Sequence, residues 1–319
     1  NLFFVRSHFG PPATGIHPWR LNVVGLVERS QGLGLAELQS LEQVTVPAVL
    51  QCSGNGRAFF TPIIPGAAWE RGAVGNAEWT GVRLKDVLDR AGLKPGVAHV
   101  HMIGSDGPPN PKTPAFLRSL PIEKALDPHT LIALTMNGQP LPVLHGGPAR
   151  LVVPGWTGNH WLKWLRELTV SETEAPGAFM QSAYRLPRAS LPEGVTPKPE
   201  DMVPLTAMNV KSLIIGPAQA AKLKPGQSEV HGVAWTGEGR ITRVDVQIDS
   251  QPWTLATLEG PDHPFAWRTW RLPWKAQPGW HVVRSRATDS NGQTQADTSP
   301  WNKSGYLWNS IDQVECEVV

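Results

Sequence analysis

Apolar and polar positions along the first 186 residues fall into short mixed blocks. Residues 19–27, 98–103 and 149–153 read as strands, and Val46 to Leu50 is a further apolar run ending at a glycine-rich turn. Leu84 to Ala91 and Ile122 to Leu126 carry helical spacing instead, so this part predicts an α+β domain. The last third changes character. Ser228 to Trp235, Arg240 to Ile248 (with Ile241, Val244, Val246 and Ile248) and Gly279 to Asp289 are strand-like runs separated by turn residues. They predict an all-β sandwich of immunoglobulin-like size. Between the two lies Leu186 to Pro204, punctuated by Pro187, Pro192, Pro197, Pro199 and Pro204 with little apolar periodicity, which reads as an extended connection. The expected division is therefore 1–186, a connection over 187–204, and 205–319.

A length of 319 residues suits two domains. Lys+Arg 29 against Asp+Glu 27 leaves +2, which removes nucleic acid and anionic membrane as charge-driven partners. No run approaches the roughly 18 apolar residues of a membrane helix. Gly 31 and Pro 31 add to the expectation of short elements and many turns. Eight of the 14 Trp fall in the last third, at 235, 253, 267, 270, 274, 280, 301 and 308, as sandwich core and turn packing or as an aromatic oligomer interface. The chain begins at Asn1 without a methionine or signal-like segment, so a processed or truncated form is expected.

The candidate chemistry centres on Cys52, one of only two cysteines with Cys316. It sits in Gln51-Cys52-Ser53-Gly54-Asn55-Gly56-Arg57, where glycines admit a bulky ligand and Arg57 favours a thiolate or an anion. Three readings of the thiol stand open: a nucleophile with His145 or His160 as base and Asn159 as orienter, a soft-metal ligand beside a cofactor's own sulfurs, or an incidental cysteine. His99-x-His101 places two imidazoles on one strand face but lacks a third donor for zinc. Phe4-Val5-Arg6-Ser7-His8, His145 to Arg150 and Asn159 to Lys163 add cationic groups at turns, a pattern suited to a phosphate-bearing ligand.

Together these residues resemble the sulfite oxidase family of mononuclear molybdenum enzymes, in its bacterial branch. The likeness runs through Phe4 to His8, Cys52 to Arg57, Gly72 to Val82, Ala125 to Pro128, Met136 to Pro142, Arg150 to Gly155 and Lys163 to Leu165, in the family's order. It implies a molybdopterin-binding α+β domain followed by an immunoglobulin-like dimerisation domain, with Cys52 as the molybdenum ligand. It also implies pterin and phosphate contacts from Phe4, Arg6, His8, Asp106, His145, Arg150 and Lys163, with His160 or Trp161 beside them. The substrate pocket by this likeness holds Arg6, Arg57, Trp69 and Tyr184. Two of its cations are replaced, one by Pro65 ahead of Gly66 and, in the best register, one by Gln313, so weaker sulfite binding or another substrate is expected.

The activity so implied is oxygen-atom transfer from sulfite to sulfate, with Arg6 and Arg57 holding the anion and Tyr184 assisting. No haem or iron–sulfur spacing occurs in the chain, so electrons are expected to pass to an external acceptor, a c-type cytochrome by analogy. The likeness also suggests a homodimer and a periplasmic or otherwise exported protein, with the cytoplasm left open. The rivals are a family reductase of nitrate or an S- or N-oxide, an oxidase of another sulfur compound, a cysteine hydrolase, and a binding module carried by the sandwich.

Overall fold

The computed structural model describes residues 3–12, 18–189 and 195–319. The chain forms two compact units, one of residues 1–53 and 77–206, the other of 54–76 and 207–319. Among the described residues no helix is long and apolar enough to cross a membrane.

The first unit is α+β, as the mixed periodicities imply. One sheet runs in the order Gln31–Leu33, Leu21–Gly25, Leu165–Ser171, His99–Gly104 and Arg118–Pro121. Its Leu21–Gly25 and Leu165–Ser171 strands are parallel, and the other pairings are antiparallel. A second sheet orders Val44–Gln51, Val74–Arg83, Leu131–Met136 and Gln139–Pro140, with Arg150–Val152 also on Leu131–Met136. The helix Leu84–Ala91 buries Leu84, Val87, Leu88 and Ala91, the i, i+3, i+4, i+7 set of one face.

The proline-rich connection is more structured than its composition suggests. Arg185–Pro187 pairs antiparallel with Met202–Pro204, so the segment folds back and closes on itself. Both strands are edges, where proline's missing N–H is tolerated. Pro192 lies outside the described residues.

The second unit is a sandwich of two sheets, as expected. One orders Lys211–Gly216, Gly226–Trp235, Arg268–Ala276 and Thr257–Glu259; the other orders Ala221–Leu223, Asp312–Val318, Gly279–Asp289, Ile241–Ile248 and Thr254–Leu255. Val230, Ala234 and Trp270 from the first meet Val244, Val246, Val283 and Val314 from the second in one core. Trp235, Trp270 and Trp308 are buried, while Trp280 is 65% exposed, so packing accounts for most but not all of the tryptophans.

This unit also buries a lysine. Lys211 is buried with Nζ 4.6 Å from the Trp308 ring centroid, and no hydrogen-bond partner for Nζ exists among the described residues. Burial pulls its pKa down from 10.5 to about 7, partly offset by Asp312. Its charged form is therefore a liability that is full below pH 7 and fades as pH rises toward 10.5. Lys211→Met is expected to raise stability by about 1–2 kcal/mol at pH 7, with the gain shrinking in alkaline buffer, as read by thermal unfolding.

Candidate active site

The strand Val44–Gln51 delivers Cys52 to a cavity of the first unit with about 750 Å³ of empty space, counting solvent at its mouth. Three further segments complete the lining. Phe4 to His8 contributes Arg6 and His8, the turn at 143–150 contributes Leu144, His145 and Arg150, and the stretch 158–164 contributes Asn159, Trp161, Lys163 and Trp164. Asp106, Phe116 and Tyr184 close the remaining sides. Asp106 and Lys163 meet here because they flank His99–Gly104 and Leu165–Ser171, which pair antiparallel in the first sheet. Ser53 Oγ, next to the thiol, donates to Asn159 Oδ1 at 2.8 Å and ties the Cys52 turn to the 158–164 stretch. Neither cysteine is in a disulfide.

Basic groups outnumber acidic ones in the lining, with Asp106 its only carboxylate among the described residues. Arg150 is buried and donates through Nη1 to His145 O and Nη2 to Trp161 O, both at 2.9 Å, with its guanidinium 5.0 Å from the Trp79 ring centroid. Its Nε and the Nδ2 of Asn159 are buried donors with no partner among the described residues. Burial draws Arg150 down to about 9, and burial with the Arg150 charge draws Lys163 from 10.5 to about 7. Burial, then Arg6 and Arg118, hold His8 down to about 4, so its ring is neutral at neutral pH. Asp106 is pushed up to about 6 by burial. Burial disfavours the charge on Lys163 and Arg150, and an anionic ligand beside them would favour it again.

A pH dependence follows from Lys163. An anion bound beside it raises its pKa, so binding takes up a proton between pH 7 and about 10. The affinity of a phosphate-bearing ligand is expected to fall as pH rises through that window and, in Lys163→Met, to lose the part that begins near pH 7 while keeping the part that Arg150, at about 9, contributes, measured as cofactor retained after dialysis at each pH.

Most of the residues singled out from the sequence converge here: Phe4, Arg6, His8, Cys52, Asp106, His145, Arg150, Trp161, Lys163 and Tyr184. His160 is not in the lining. It is fully buried behind it, with Nε2 2.9 Å from Leu205 O and 3.2 Å from Arg118 Nη2, while Trp161 faces the cavity. Arg57 and Trp69 belong to the second unit. There Arg57 Nε donates to Ser304 O at 3.1 Å and Nη1 to Ala67 O at 3.2 Å, with Tyr306 5.5 Å from its guanidinium. Gln313 is a correction to the sequence register. It lies on the strand Asp312–Val318 with its side-chain oxygen accepting from Arg284 Nε at 2.8 Å, and the C-terminal residues beside Arg57 are Ser304, Gly305 and Tyr306. Sequence reasoning missed Phe116 and the buried Arg118. Both sit in Ala115-Phe116-Leu117-Arg118-Ser119-Leu120, which carries no motif beyond strand alternation.

One thiol, the buried Arg150 with Lys163 and Arg6 in the same lining, and two orphaned donors make a pocket suited to an anionic, metal-bearing cofactor. Among the described residues no three His, Cys, Asp or Glu side chains gather to hold a metal, so Cys52 suits a metal whose other donors arrive with the cofactor. Molybdopterin, with dithiolene sulfurs, a phosphate and a hydrogen-bonding pterin, fits that donor set. The family model described as oxidoreductase molybdopterin binding domain matches residues 8–179, and that of the Mo-co oxidoreductase dimerisation domain matches 203–318. The chain belongs to the sulfite oxidase family. It is 35% identical to mitochondrial sulfite oxidase of Mus musculus over all of this chain and 61% of that protein, and 36% identical to sulfite oxidase of Gallus gallus over 96% and 70%. Nitrate reductase [NADH] of Ulva prolifera is 31% identical over 98% of the chain and 39% of that protein. The structure of sulfane dehydrogenase SoxCD from Paracoccus pantotrophus aligns with a TM-score of 0.85 at 29% identity, over 99% of this chain and 82% of that one. The chain thus spans about six-tenths of the mouse relative's length.

Proposed function

We propose that this protein is a molybdenum-dependent oxidoreductase that oxidises sulfite, or a closely related small sulfur oxyanion, and passes two electrons to an external acceptor such as a c-type cytochrome. The observation that carries this reading is the Cys52 thiol at the wall of a cavity where, among the described residues, Arg6, Arg150 and Lys163 face a single carboxylate, Asp106. When bound, the molybdenum cofactor supplies the oxygen-atom transfer and holds the two electrons. Sulfite and water give sulfate, two protons and two electrons, so the chain must bind an anion and dispose of protons.

Lys163, Arg150 and His145 serve the cofactor's phosphate and pterin, with Asn159 Nδ2 as an additional donor. By the family likeness Arg6 and Arg57 are the groups that hold the oxyanion, through charge-assisted hydrogen bonds, with Trp69 a further substrate contact. Tyr184 Oη lies 2.7 Å from His8 Nε2, and the two share a proton. Because His8 is neutral above about pH 4, its ring nitrogen can accept the phenol's hydrogen bond and orient the hydroxyl toward the substrate. The second unit's match to a dimerisation model, with its exposed Trp280, favours a homodimer, which a solution mass at two concentrations tests.

Identity to a nitrate reductase favours a second reading, in which oxygen transfer runs in reverse on nitrate or an S- or N-oxide. Molybdenum and pterin per chain are measured on protein from a cofactor-competent host, followed by sulfite-dependent reduction of an artificial acceptor. Near one molybdenum with sulfite turnover supports the proposal. Reoxidation of dithionite-reduced protein by nitrate without sulfite turnover favours the reductase, and metal-free protein whose Cys52 reacts with a thiol reagent favours a cysteine hydrolase.

A further inference from the structure

Arg118 is a fully buried arginine on the edge strand Arg118–Pro121, outside the cavity lining. Burying a guanidinium is costly, and the strand does not need one at this position, so what it touches matters. Its guanidinium carbon lies 5.3 Å from the Tyr184 ring centroid, on the scale of a cation–π contact. Nη1 donates to Phe179 O, and Nη2 lies 3.2 Å from His160 Nε2. That same ring nitrogen is 2.9 Å from Leu205 O, and Leu205 N donates to Tyr184 O at 2.8 Å. His160 Nε2 donates to Leu205 O in one tautomer and accepts from Arg118 Nη2 in the other, one bond at a time, so Arg118, His160 and Leu205 are packed around Tyr184 with His160 linked to either neighbour. Burial, with the Arg118 charge, keeps the His160 ring neutral. Phe179 in turn places its ring 4.7 Å from that of His8, the partner of the Tyr184 hydroxyl.

Tyr184 has a left-handed backbone, with φ 54°, a conformation that non-glycine residues adopt at a cost and keep only where their surroundings impose it. We infer that Arg118 is a positioning residue: with His160 it clamps the ring and backbone of Tyr184 in this strained conformation, so that the phenol meets His8 at the cavity wall. The inference rests on the reading of Tyr184 as a catalytic group, but the clamp itself is a property of the folded chain and can be read without turnover.

The chain has two tyrosines, Tyr184 and Tyr306, so fluorotyrosine labelling gives two fluorine resonances, assigned through Tyr306→Phe. In Arg118→Met, with molybdenum and pterin content matching the parent protein, the Tyr184 resonance is expected to shift and split into more than one conformer. kcat is expected to fall roughly ten- to a hundredfold, because a misplaced reacting group costs on that order. KM is expected to stay within about threefold, since substrate binding is not what the clamp supplies. Arg118→Lys keeps a cation under the ring but cannot reach Phe179 O and His160 together, and recovers part of kcat. A Tyr184 resonance in Arg118→Met that superimposes on the parent's overturns the inference. Should Arg118→Met not fold, His160→Gln read by the same resonance carries the test, and an unmoved signal there is equally fatal. Full activity in Tyr184→Phe alongside a displaced resonance in Arg118→Met would remove the catalytic reading of Tyr184 and leave the clamp standing.

Discussion

Cys52→Ser is expected to abolish sulfite-dependent acceptor reduction, by at least about 10³-fold, while the protein stays folded. Groups that merely support a metal ligand cost 10–100-fold when removed, and a direct ligand costs more. A serine hydroxyl is a harder, more basic donor than a thiolate and suits a metal that changes oxidation state less well. The side chain is only partly buried, at the end of Val44–Gln51, and Ser53 Oγ keeps its bond to Asn159, so the turn should survive the change. Molybdenum per chain, pterin fluorescence and turnover are measured on one preparation. Wild-type turnover with full molybdenum would sink the assignment of Cys52.

The second large effect concerns Arg57. Arg57→Met is expected to lower kcat/KM for sulfite by one to two orders of magnitude, mostly through KM, since a cation facing a partly desolvated dianion is worth about 1–3 kcal/mol. The structure shows how its guanidinium is aimed. A Cβ on Gly54 or Gly66 would come within 2.8 Å of guanidinium nitrogens, and one on Gly305 within 2.7 Å of the side-chain Cγ. Nε and Nη1 are tied to the carbonyls of Ser304 and Ala67, so among the described residues Nη2 is the nitrogen left to serve a ligand. Pro65 stands where the family resemblance expects a lysine, yet the glycine after it, which touches Arg57, is retained. Gly66→Ala, which keeps every charge but crowds the cage, should raise KM in the same direction. An unchanged KM in both variants would exclude Arg57 from substrate binding.

What the sequence disclosed and what it withheld divide along physical lines. Gly279–Asp289, Ile241–Ile248 and Leu84–Ala91 were readable because one buried face repeats at the strand or helix period. Arg185–Pro187 and Met202–Pro204 were not, because proline-rich edge strands carry no such period and their pairing is set by chain reversal. At the site, Cys52, His145 and Arg150 stood out because glycines or prolines stand close by basic or sulfur groups, and Arg6 and Lys163 through the family likeness. Arg118 did not, because a single arginine among alternating residues looks like a solvated strand position until its partners 42, 61 and 66 residues away are known. Gln313 was misplaced by register alone. Counting along an unfixed C-terminal loop cannot tell a strand residue from the turn at Ser304 that meets Arg57.

The excursion of residues 54–76 into the second unit bears on how this protein can be cut or inherited. Gly56, at φ 90°, leaves room for Trp308 where a Cβ would lie 2.6 Å from its ring, and Arg71 bonds Asp312 at 2.7 Å. A fragment of 207–319 would therefore lack part of its own core and leave Asp312 buried without Arg71. The sandwich is consequently not a detachable cassette. Exchanging it for another sandwich would mean exchanging the loop that carries Arg57 and Trp69 with it.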